Sequence, residues 1–147
     1  MSYIPRNARW YLAEMIEEIA AESDPRNIVH LNVVLVGADS AVAAFDRAQE
    51  LGKQSETRYK NPAGKTVLIR FRGLRSLEVI HDELEHGAEL AYSELIAVPE
   101  DEVAKLITPR EQLGVFRPIA PSQGPDYSSR EVLDEAVKLT HQNLDAQ

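Results

Sequence analysis

The chain contains no cysteine, which excludes disulfides, thiolate nucleophiles and cysteine metal sites and fits a reducing, cytoplasmic setting. Long apolar runs are also missing. The best, Val33 to Val36, falls far short of the roughly 20 residues that span a bilayer. Arg6 and Arg9 ahead of Trp10, Tyr11 and Leu12 superficially resemble a secretion signal, but Glu14, Glu17 and Glu18 interrupt the apolar segment. Glycine is scarce, and Gly37, Gly52 and Gly64 stand singly near the ends of elements, so no phosphate-cradling loop is present. There is no Gly-x-Ser-x-Gly elbow and no serine with an evident histidine partner. Aromatics make up 6% of the chain and are not interleaved with arginine; Phe71-Arg72-Gly73 lacks the order of an RNA-recognition strand.

What is present is globular. A chain of 147 residues suits one domain, with 44% hydrophobic and 27% charged residues. A net charge of −8 opposes indiscriminate binding to nucleic acid or anionic membrane, so neither is expected as a partner. The charge is segregated. Arg58, Lys60, Lys65, Arg70, Arg72 and Arg75 occupy residues 57–77 with no acid among them, whereas residues 78–104 hold many acids and no Lys or Arg. Pairing between neighbouring strands would account for this without any partner.

Residues 9–19 fit either a helix, through Leu12, Ile16 and Ile19, or a strand, by alternation. Residues 27–36 read as a central strand, with Val29, Leu31, Val33 and Leu35 on the core face and His30 and Asn32 on the other. A helix follows, capped by Asp39 or Ser40, with Ala41, Ala44, Phe45, Ala48 and Leu51 as its apolar stripe and Gly52 at a left-handed C-terminal cap. Asn61-Pro62-Ala63-Gly64 has the composition of a type I turn. It joins a short strand near Glu56 to Lys60 to a longer one from Lys65 to Arg72, in which Val67, Ile69 and Phe71 face the core and Arg70 and Arg72 face away. Gly73 marks a bulge or bend, beyond which Leu77, Val79 and Ile80 can continue the strand. Leu90, Tyr92, Ile96 and Val98 alternate as a further strand, and Pro99 with Glu100, Asp101 and Glu102 starts a second helix. Pro118, Pro121, Gly124 and Pro125 form an extended, accessible linker, and Ser128 with Glu131 caps a last helix. The expected fold is α+β: an antiparallel sheet of four to five strands with helices on one face, then a Pro-rich linker and a C-terminal helix. The boundaries are residues 8–107 for the domain, 108–127 for the linker and 128–147 for the helix.

Several of these strings occur together in a known order: Trp10-Tyr11-Leu12-Ala13-Glu14, the strand end at Val33–Ala38, the helix through Ala48 and Leu51, Tyr59-Lys60-Asn61-Pro62-Ala63-Gly64-Lys65, Phe71-Arg72-Gly73-Leu74, and the segment from Asp82 to Gly87. Over about residues 9–98 the chain resembles a bacterial family catalogued as domain of unknown function 4288. The resemblance implies a strand rather than a helix at residues 9–19. It implies no activity and supplies no site.

Two clusters merit chemical reading. His81-Asp82-Glu83-Leu84-Glu85-His86 gathers possible ligands, but its histidines are five apart, not the four that a zinc-binding helix needs. A solvated turn is expected, with no metal and no other cofactor. Arg70 and Arg72, with His30 and Asn32 from another strand and Glu14 beside them, could instead gather on the sheet face away from the helix. Arginine grips carboxylate or phosphate bidentately and histidine exchanges protons near neutral pH. Without a catalytic constellation, the leading expectation is a cytoplasmic, non-enzymatic module that binds a protein partner or a second copy of itself. The alternative is a small protein or enzyme that binds an anionic ligand through Arg70, Arg72, His30 and Asn32.

Overall fold

A computed structural model describes residues 4–121 and 123–129. Four antiparallel strands form one sheet: β1 (Trp10–Ala21), β2 (Ile28–Gly37), β3 (Thr57–Lys60) and β4 (Thr66–Val79), in the order β2-β1-β4-β3. Helix α1 (Ala41–Ser55) packs on one face. The α+β architecture is the expected one, and the ambiguous segment is strand from Trp10 onward. Tyr11, Ala13, Met15, Ile19 and Ala21 are buried along β1, while Leu12, Glu14, Ile16 and Glu18 take the other face, the two-residue period of a pleated strand. The β1–β2 connection carries Ser23 in the left-handed region (φ 69°). Asp24 there accepts hydrogen bonds from Arg26 N (3.0 Å), Nε (3.0 Å) and Nη2 (2.8 Å). Those bonds hold its carboxyl at about 2, so whatever the turn contributes is present above the ordinary carboxylate range and is lost as pH falls through that value.

Ser40 caps α1, its Oγ accepting from Ala43 N at 3.1 Å. The helix buries Ala44, Ala48 and Gly52 and leaves Phe45 and Leu51 at its exposed margins. The contact line is therefore narrower than the expected stripe and made of the smallest residues. Gly52 does not end the helix, which continues to Ser55 with Glu56 as cap. It is glycine because the Phe71 ring lies against it: a Cβ there would sit 2.5 Å from three ring atoms.

The turn from Asn61 to Gly64 closes with Gly64 N on Asn61 O at 2.9 Å and Gly64 at φ 77°. Strand β4 passes through Gly73 (φ 141°) without ending, but its register against β1 shifts twice. The extra residues are Arg72 and Arg75, each opposed by no residue of β1. These bulges put Phe71, Leu74 and Leu77 all on the α1 face at three-residue spacing.

Strand β2 departs most from expectation. It is an edge strand, and its faces are reversed. Val34 and Val36 pack under α1 with Tyr11, Ala13 and Met15, whereas Val29, Leu31, Val33 and Leu35 are 51%, 49%, 56% and 44% exposed on the opposite face. Both rows are apolar at one end of the strand, so composition could not rank them. His30 and Asn32 make the buried-side row look polar because they lie beyond the reach of the first core cluster.

The alternating segment around Leu90 to Val98 forms no strand. Tyr92, Leu95 and Ile96 are exposed, and Ala97 takes φ 57°, so the segment has neither a pairing partner among the described residues nor an extended backbone throughout. Residues 92–123 separate as a second unit. It contains α2 (Glu100–Leu106), whose first turn carries Glu100, Asp101 and Glu102 as the helix dipole favours, and two short 3-10 turns at Arg110–Gln112 and Gly114–Phe116. Residues 117–121 are exposed and irregular, whereas Pro125 is buried, and residues 124–129 belong with the sheet. The expected C-terminal helix falls on residues 130–147, outside the described residues. No helix among the described residues is long and apolar enough to cross a membrane.

Candidate binding surface

The face of the sheet turned away from α1 has a graded composition. Along β2 it is the row Val29, Leu31, Val33 and Leu35; β1 adds Leu12, Glu14, Ile16 and Glu18. β4 contributes Leu68 and Arg70, with Arg72 and Arg75 reaching in from their bulges. At one end the Trp10 ring lies over Gly37. Arg72 approaches Glu18 at 3.7 Å and Arg75 approaches Glu14 at 3.6 Å. Glu18 also accepts from Asn27 Nδ2 at 2.7 Å. These pairs are solvent-accessible, so each contributes less than about 1 kcal/mol. They neutralise the two acids and leave Arg70 with no carboxylate in ion-pair range among the described residues. The surface therefore runs from apolar at the β2 edge, through internally paired charge, to basic beyond.

The four residues singled out from the sequence do not come together. Arg70 and Arg72 are exposed on the open face, as expected. His30 and Asn32 lie on the α1 side, opposite Glu17 and Met15 of β1. The His30 ring meets Tyr127 edge-on, with centroids 5.5 Å apart. The correction follows from the reversal of β2: the same half-turn that exposes the valine row carries its histidine and asparagine to the other face. That exposed row is the one whose unbroken apolar alternation marks it, from sequence, as the core face. The signal that bears on it is the absence of charge from the whole of residues 28–37, which bars neither face from burial.

On the α1 side a short strap completes the cover. The Tyr59 hydroxyl donates to the Tyr127 carbonyl, and Asn61 Nδ2 donates to the Asp126 carbonyl at 3.1 Å. Asn61 Oδ1 accepts from Lys65 N at 2.9 Å, so one buried side chain ties the turn to the strap. Burial, with Tyr127 and Asp126 nearby, raises the Tyr59 hydroxyl above its ordinary range and keeps it a donor. Tyr59 packs in turn on Ile19, Ala21 and Val67, the second core cluster. Asn61→Ala leaves Lys65 N and the Asp126 carbonyl without their partner. It should destabilise the fold by about 2 kcal/mol and open residues 124–129 to limited proteolysis. Unchanged cleavage there would mean that the strap is held by other contacts.

Among the described residues, no three His, Asp or Glu side chains gather as a metal site. Asp82 in the His81–Gly87 segment instead accepts from Glu89 N at 3.0 Å. The geometry defines an open-faced α+β sheet domain, one face sealed by a helix and a strap and the other carrying an apolar edge row. The chain belongs to the family described as Domain of unknown function (DUF4288), whose model matches residues 10–92, more than half of the sequence. The match starts on the first residue of β1 and stops where the second unit begins. No curated protein and no solved structure matches the chain.

Proposed function

We propose that this domain is a cytoplasmic, non-enzymatic protein-binding module, and that its binding surface is the open face of the sheet centred on β2. The observation that carries the reading is the row Val29, Leu31, Val33 and Leu35, each about half exposed on a ten-residue strand. With Leu12, Ile16 and Leu68 beside it, the row makes an apolar patch on the order of several hundred Å², the size at which a surface marks an interaction site. The arrangement also resembles an interface in section, with an apolar centre and a charged rim supplied by Arg70, Arg72 and Arg75. The anion-binding alternative has lost half of its residues to the opposite face and is not carried further. Among the described residues the groups whose titration is displaced, Glu22, Asp24, Arg26, Tyr59 and Asp126, sit in connections, on β3 and in the strap, each explained by burial or a hydrogen bond.

Oxidative footprinting tests the reading. Leu31 and Val33 should be protected in native extract and labelled in dilute purified protein; equal labelling in both would refute a binding role for this face. Arg70→Gln with Arg72→Gln should leave the melting temperature nearly unchanged, because exposed charges contribute about 0–1 kcal/mol each. The same double variant should weaken the protection, since rim charges guide association.

A further inference from the structure

We infer that the occupant of the β2 edge is a second copy of this chain, paired antiparallel with β2 across a two-fold axis through Asn32. The inference rests on reading the open face as a binding surface and adds the identity of the partner.

The two free edges of the sheet are treated differently. Strand β3 is four residues long and carries Arg58 and Lys60, the short length and charge that keep edges from pairing. Strand β2 runs for ten residues without a charge or a proline, and its register with β1 is unbroken from Trp10↔Gly37 to Ile19↔Ile28. No bulge, guard or twist device protects it. Every second residue directs its N–H and C=O away from β1, and no described residue outside the sheet bonds the backbone of residues 28–36.

Charge favours self-pairing. Two chains of net charge −8 repel, so a seam between them must add no further like-charge contacts. Strand β1 holds Glu14, Glu17 and Glu18; β3 holds Arg58 and Lys60; β4 holds Arg70, Arg72, Arg75 and Glu78. Strand β2 holds none of these residue types, so paired with itself it sets no like charges opposite one another.

The register is also self-complementary. Antiparallel partners share a face, and an axis on Asn32 matches Val29 with Leu35 and Leu31 with Val33 of the second copy. All four exposed side chains then find cross-strand partners. Moving the axis to Val33 would leave Val29 opposite Gly37. On the other face the Asn32 axis matches Ile28 with Val36 and His30 with Val34. It sets Asn32 beside its own counterpart, where each carboxamide can donate and accept. Nine paired residues extend about 30 Å and supply roughly eight to ten backbone hydrogen bonds, the number an ordinary interface carries. The two sheets join into one of eight strands, and the apolar rows merge at its centre with the charged strands outside.

The full chain should sediment as a dimer that dissociates on dilution through the micromolar range. Leu31→Lys with Val33→Lys installs the guards that β2 lacks, and should give a monomer at every concentration with its melting transition retained. Asn32→Cys provides an independent arm, because the chain has no other cysteine. Directly opposed strand residues lie about 4.5–5.5 Å apart at Cα, within the range that a disulfide spans. Mild oxidation should link Asn32→Cys into a covalent dimer far faster than Arg58→Cys on the guarded edge. A wild-type chain that stays monomeric, a dimer that survives both lysines, or linkage no faster at 32 than at 58 would overturn the proposal. A monomer whose Leu31 and Val33 are protected in extract but labelled in dilute purified protein would assign the edge to a different protein. That result would refute the second copy and leave the binding surface intact.

Discussion

Gly52→Val is expected to destabilise the domain by about 3 kcal/mol, although glycine inside a helix is ordinarily a weak point that a side chain relieves. Against a helix interior alone, replacing glycine with alanine should stabilise by about 1 kcal/mol. Here the added Cβ lies 2.5 Å from three atoms of the Phe71 ring. That ring packs against the cluster of Tyr11, Ala13, Met15, Ala44 and Ala48. It can yield only by leaving the core or by lifting α1 from the sheet. Overpacking of this kind costs about 1–3 kcal/mol, so Gly52→Ala should come out near neutral to about 2 kcal/mol destabilising. Valine adds two methyl groups and a stiff χ1, and should fall at or beyond the upper end. Urea denaturation measures the difference. The mechanism has its own signature: Phe71→Leu should be less damaging in the Gly52→Ala background than alone, with a coupling of about 1 kcal/mol. Strict additivity would show that glycine is there for another reason.

This contact was invisible in the sequence for a definable reason. Gly52 follows Leu51 at the end of an apolar stripe, where a capping glycine belongs, and only the position of Phe71 in another element distinguishes a cap from a close approach. Local signals were legible where local physics decides. The Asn61–Gly64 turn, the Ser40 cap, the bulge beside Gly73 and the placing of Val67, Ile69 and Phe71 on the core side of β4 all follow from residues within a few positions of one another. Features that depend on tertiary partners were not. Residues 28–37 are apolar on both faces along half their length, and which face α1 covers depends on strand order. The paired bulges at Arg72 and Arg75 likewise shift the period of β4 from two to three, so alternation read past Phe71 assigns the wrong faces. The candidate site failed with β2. Arg70 and Arg72 were placed correctly because β4 is unambiguous up to that point, while His30 and Asn32 followed the inverted strand.

The inversion gives the second large prediction. Ile19 and Val36 are 2% and 1% exposed, and truncation leaves cavities in packed clusters, Val36 between the sheet and α1 and Ile19 among Ala21, Val67, Ile28, Tyr59 and Ile69. Ile19→Ala should destabilise by about 3–4 kcal/mol and Val36→Ala by about 2–3 kcal/mol. Leu31→Ala and Val33→Ala remove side chains at least as large as that of Val36 from the same strand, but from positions already half in water. In dilute protein each should cost less than about 1 kcal/mol. Were α1 over the other row, the order within β2 would reverse, with Val33→Ala damaging and Val36→Ala mild. Concentration separates packing from association. A dimer adds stability that grows with protein concentration, so the Leu31 and Val33 variants should fall further behind wild type in concentrated solution than in dilute. Ile19→Ala, on the strand behind the seam, should show the same loss in both. Equal losses for Leu31→Ala at the two concentrations would mean that its side chain meets water in every state of the protein.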